Sequence, residues 1–120
     1  MTHVVEKEFA HWAGPEVGSE LHLDDQIWPW QPPSEVARWT LLAGIAHFKS
    51  ALTLLHAGFE GPPIAYNSML RGALLASCQT LWVVGADDPL TRRARALPLV
   101  AEEYRHRIGF HRSQMQSTDP

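Results

Sequence analysis

Glu103 and His106 stand three residues apart in Glu103-Tyr104-Arg105-His106, a Glu-x-x-His spacing that sets a carboxylate and an imidazole on one helix face, where they can share a metal ion. Such a site needs further carboxylates from facing helices, and the two preceding helical segments contain no interior Asp or Glu, so the spacing reads as coincidence. The histidines His3, His11, His22, His47, His56, His106 and His111 form no His-Glu-x-x-His or other closely spaced ligand pattern. Neither a metal nor a cofactor is expected. Cys78, the single cysteine, has no histidine within one helical turn and lies among Leu74, Leu75, Leu81 and Trp82. It reads as a small buried hydrophobe rather than a nucleophile. Arg71 is the one formal charge in the long apolar stretch from Ile64 to Val84. A charge buried there unpaired costs several kcal/mol, so it calls for a carboxylate or several carbonyls. A structural ion pair is the first reading of Arg71, and binding of a small anionic ligand inside the bundle is the sharper one.

The elements that must position these residues are set by two breakers. Gly58-Phe59-Glu60-Gly61-Pro62-Pro63 and Gly85-Ala86-Asp87-Asp88-Pro89 divide the chain into three helical segments, because glycine ends helices, proline cannot continue them, and Asp followed by Pro begins the next. The first helix, about 34–57, should take Ser34 as N-cap and Glu35 in its first turn. Its apolar residues Leu41, Ile45, Phe48, Leu52 and Leu55 predict the core face. The second, about 63–85, is apolar or small almost all round and must be covered on most sides. Gly72, Ala73, Ala76 and Ser77 allow another helix to approach closely, which marks this segment as the central element or the subunit interface. The third, about 89–112, has Asp88 as N-cap and Pro89 at its first position. Leu90, Ala94, Leu97, Ala101, Tyr104, Ile108 and His111 fall on one heptad stripe across Pro98, where a kink is expected.

Charge is divided unevenly along the chain. Residues 1–35 hold seven acids against the lone base Lys7, whereas Pro89 to Arg112 holds six arginines against Glu102 and Glu103. The N-terminal segment shows no sustained period, and its turn and proline signals predict an irregular arm. Trp12, Trp28 and Trp30 argue that this arm is laid across the helices rather than left in water. The basic helix can attract phosphate backbones or pair with acids of this chain or a partner. The pI of about 6.1 argues against strong nonspecific nucleic-acid binding, which sets RNA behind protein as a partner. With 45% hydrophobic and 19% charged residues in 120, the chain reads as one globular domain of the cytoplasmic, disulfide-free class. Asn67, Arg71 and Gln79 interrupt the apolar stretch and argue against a membrane span.

Near the end of the third helix, Arg105-His106-Arg107-Ile108-Gly109-Phe110-His111 resembles the Arg-x(4–6)-His signature of the HEPN superfamily, helical dimers that include metal-independent ribonucleases of toxin–antitoxin and phage-defence systems. The resemblance implies a catalytic pair, Arg105 and His111, meeting across a dimer interface to cleave RNA. His106 stands where a hydrophobic residue usually follows the arginine. A second likeness runs from Leu70-Arg71-Gly72-Ala73-Leu74 through Leu81-Trp82-Val83-Val84 to Asp88-Pro89 with Arg92 and Arg95. It is similar to uncharacterised actinobacterial helical proteins with an Arg-x-Ala-Leu-Glu then Trp-Leu-Leu-x-x-Pro consensus. Leu75 stands in place of that pattern's Glu.

These readings converge on an all-α protein: an acidic Trp/Pro-containing arm (1–33), a domain of three main antiparallel helices (34–112) and a polar tail (113–120). A homodimer is expected to complete the bundle across the second helix, with Gly72, Ala73, Ala76 and Trp82 at the interface. The leading functional expectation is a noncatalytic interaction or regulatory module acting through protein–protein contacts. The alternatives are a HEPN-like RNA-cleaving or RNA-binding protein using Arg105 and His111, and binding of a small anion at Arg71.

Overall fold

A computed structural model of the chain describes residues 11–117. These form four α-helices, α1 (Glu20–Ile27), α2 (Pro33–His56), α3 (Pro63–Val84) and α4 (Pro89–Ser117), with no strand among the described residues. The acids Glu6 and Glu8 of the expected arm and the tail residues 118–120 lie outside them. The all-α class and both interhelical breakers are as the sequence predicts. Gly58 takes the left-handed conformation, φ 67°, that ends α2. Asp88 caps α4 by accepting from Thr91 N (2.9 Å) and Thr91 Oγ1 (2.6 Å).

Three local expectations are corrected. The arm is not irregular throughout: Ser19 accepts a hydrogen bond from His22 N at 3.2 Å and starts α1, with Glu20 in the first turn. Ser34 is not the N-cap of α2; that position is Pro32, with Pro33 at N1, and Ser34 is buried one residue further in. The last helix runs to Ser117, because residues 113–117 contain no breaker and Ser113 Oγ donates back to Phe110 O at 2.8 Å.

The helices α2 and α3 form an antiparallel hairpin whose seam is built from small residues rather than from the predicted leucine stripe. The buried face of α2 is Val36, Ala37, Thr40, Gly44 and Ala51, while Phe48 and Leu55 are exposed. A Cβ on Gly44 would sit 3.3–3.4 Å from Ser77 Oγ, Ala73 O and Ala76 Cβ, so the two backbones approach as closely as side-chain atoms allow. One helical turn earlier, the hydroxyls of Thr40 and Thr80 meet at 2.7 Å, and each also bonds a backbone carbonyl four residues back. Leucine cannot enter such a seam without forcing the helices apart, which explains why the larger side chains are displaced to its margins.

Val36, Val83, Ala96 and Val100 make the core where α4 crosses the open end of the hairpin, with Trp39 and Leu99 packed on it. The inward face of α4 is therefore Arg92, Ala96 and Val100, and the heptad stripe from Leu90 to His111 is exposed along its whole length. From Tyr104 to Ser117 every residue is exposed. The molecule is accordingly flat, with extents of 48 × 45 × 24 Å and a radius of gyration of 17.2 Å. A compact domain of this length has about 14 Å. No helix of the described residues is long and apolar enough to cross a membrane.

Candidate interaction surfaces

Two consecutive acids on α1 tie the other helices together. Asp24, buried, forms an ion pair with Nε of Arg92 and accepts a second bond from Arg92 Nη2 at 3.3 Å. Arg92 Nη1 reaches Glu20 Oε2 (3.1 Å) and the carbonyl of Ala86 (2.8 Å), so the guanidinium is enclosed by four acceptors. Its pKa is raised further above the arginine range, chiefly by the hydrogen bond to Asp24, against the opposing effect of burial. Asp25, the next residue, turns the other way and caps α2 across space, accepting from Ser34 N (3.1 Å) and Ser34 Oγ (2.5 Å). The buried cation is thus Arg92, which the sequence pattern places on the solvated basic face, and not Arg71. The spacing Arg92, Ala96, Leu99, Val100 does follow the helical period and could have identified it.

Arg71 lies exposed on α3 and makes no ion pair among the described residues. It shares its face with Ile64, Leu74, Leu75, Cys78, Leu81 and Trp82, all exposed, so α3 is not covered on most sides within one chain and Cys78 is not buried. The small residues Gly72, Ala73 and Ala76 face the opposite way, toward α2 of the same chain. Ala73 and Ala76 border Gly44, and a side chain at Gly72 would overlap the His47 ring, which is held by Ala43 O at 2.7 Å. Trp82 is half exposed, with the Arg95 guanidinium 5.4 Å from its ring centroid and donating to its carbonyl at 2.7 Å.

On the C-terminal half of α4, Glu103 pairs with Arg107 (2.8 Å), and His106 is matched to Glu102 (3.1 Å) rather than to Glu103. Glu103 and His106 therefore hold nothing in common, and no group of three His, Cys, Asp or Glu side chains among the described residues could hold a metal. Arg105 is exposed and paired with Glu102 at 2.8 Å. His111, also exposed, touches the Phe110 ring. Six residues apart on one helix, Arg105 and His111 point about 120° from each other and do not meet within one chain.

A cleft of about 150 Å³ opens where α1 meets the start of α4, lined by Ile27, Trp28, Pro33, Pro89 and Leu90. The Arg93 guanidinium stacks 3.2 Å above the Trp28 ring at its edge. Comparison with known proteins finds no family model, no curated protein and no solved structure that matches this chain.

Proposed function

We propose that this protein is a noncatalytic helical interaction module that docks a second copy of itself through the outer face of α3. The observation that carries this reading is the apolar stripe Ile64, Leu70, Leu74, Leu75, Leu81 and Trp82, each 46–70% exposed on one helix whose only formal charge is Arg71. These six side chains present on the order of 700 Å², close to the ~800 Å² that each partner buries in a standard interface. A monomer seldom leaves so large an apolar patch in water. Arg71, at the middle of the stripe, then becomes a buried cation whose acceptors must be backbone carbonyls or side chains outside α3, since α3 carries no acid in either copy. Light scattering on the purified protein tests this. Wild type should run as a dimer, and Leu74→Asp with Leu81→Asp should give a monomer of unchanged helix content; a wild-type monomer defeats the reading.

A second reading, RNA cleavage of the HEPN kind, is supported by the exposure of both Arg105 and His111 on the C-terminal half of α4. There a second subunit has access to both. His111→Ala should abolish cleavage of an RNA substrate in that case, because proton transfer needs the imidazole. Equal RNA profiles for the variant and wild type remove it.

A further inference from the structure

We propose that the outer face of α4 is a coiled-coil seam that takes an acidic amphipathic helix from a different protein. The inference rests on the interaction-module reading but uses a different helix from the proposed self-docking face. Leu90, Ala94, Leu97, Ala101, Tyr104, Ile108 and His111 alternate at spacings of four and three residues, and all are exposed. A 3.5-residue period maintained over three heptads, on a helix whose inward face follows a separate stripe, is the pattern of a seam that wraps a partner helix. The seam starts at the apolar cleft beside Trp28, since Leu90 both opens the stripe and lines the cleft. An apolar anchor on the partner can enter there.

The residues flanking the seam decide what kind of helix fits. On the C-terminal half of α4 they are Arg105 and Arg112 on one side and Arg107 on the other, with Arg93 earlier on the same side as Arg107. Glu102 and Glu103 sit away from the seam and hold Arg105 and Arg107 only through exposed pairs within the helix, which exchange readily for a better partner. Pairing α4 with another α4 in parallel sets Arg107 against the partner's equivalent of Arg112. Pairing it antiparallel sets Arg105 against Arg112, and like charges at these positions oppose association. A helix with Glu at its flanking positions meets all three arginines with opposite charge.

The test uses two labelled synthetic helices of four heptads, identical in their leucine seam, one with Glu and the other with Lys at the flanking positions. Fluorescence anisotropy with full-length protein should show the Glu helix bound at least about tenfold more tightly than the Lys helix, weakening as salt is raised. Ile108→Asp should reduce Glu-helix binding about tenfold or more. Arg105→Glu with Arg107→Glu should reverse the preference between the two helices. The α3 variant Leu74→Asp/Leu81→Asp should still bind the Glu helix, so failure of self-association and failure of this seam read out separately. The proposal is overturned if wild type binds both helices equally or neither. It is also overturned if Ile108→Asp dissociates a wild-type dimer, or if a single-stranded RNA oligonucleotide displaces the Glu helix and binds more tightly than it.

Discussion

Where α2 crosses α3, the close approach is Gly44 against Ala73 and Ala76, with no charge present; where α1 crosses α4, it is a guanidinium enclosed by Asp24, Glu20 and a carbonyl. The first crossing is close because nothing large is there, so its stability comes from dispersion and excluded water over a long seam. The second is an eight-residue helix too short to bury much apolar surface, held instead by ionic groups taken out of water. One crossing should therefore be sensitive to added volume and the other to removed charge.

The largest effect is expected at the charged crossing. Arg92→Ala leaves Asp24 buried without a partner and should destabilise the fold by about 3–5 kcal/mol in urea unfolding. Arg92→Met combined with Asp24→Leu should recover much of that loss, because two buried charges are then replaced by apolar volume. If the single variant costs as little as a surface pair, the strap role of α1 is wrong. Gly44→Leu tests the other crossing. It should cost about 1–3 kcal/mol by forcing the hairpin open, and the Thr40 and Thr80 hydroxyls should separate with it. A neutral result would mean that the hairpin is looser than the 3.3–3.4 Å approach requires.

Two acidic caps sharpen the contrast at smaller scale, since Asp25 caps α2 across space while Asp88 caps α4 locally. Asp25→Ala should cost about 1 kcal/mol and loosen α1 and α2 together, seen as faster amide exchange in both segments. The hydrogen bonds from the Thr91 side chain and backbone hold the Asp88 carboxyl below its ordinary pKa. A depressed folded pKa gives stability that is present above the unfolded value and is lost as pH falls through the folded one. Asp88→Asn keeps the cap without the titration, so the stability difference between wild type and this variant should shrink below about pH 4. A difference independent of pH would show that the Asp88 charge contributes nothing.

The helix ends at the two interhelical breakers were legible because they depend on neighbours in sequence. Gly58 needs only its own φ, Pro63 and Pro89 only their missing N–H, and Asp88 only the Thr91 amide three residues on. The start of α1 rests on the same kind of signal, Ser19 followed by Glu20, but short length and nearby Gly14, Pro15 and Gly18 obscured it. The direction each helix faces was not legible in this way. On α4 the heptad stripe is the more apolar of two candidates, yet Arg92, Ala96 and Val100 turn inward because Asp24 and Glu20 wait on the other side. On α3 the small residues Gly72, Ala73 and Ala76 could serve either a subunit interface or the hairpin, and only the packed structure shows that they serve the hairpin.

The sequence by itself determined the helical class, the two interhelical turns and the opposite charge of the first and last segments, all of which follow from local backbone restriction and composition. Only the tertiary structure decided that Arg92 rather than Arg71 is the enclosed cation, that α1 straps α2 to α4, and that the apolar faces of α3 and α4 point away from the core. The physical reason is that a buried charge selects its helix face by the partner it meets in space, and that partner lies 68 residues away in sequence.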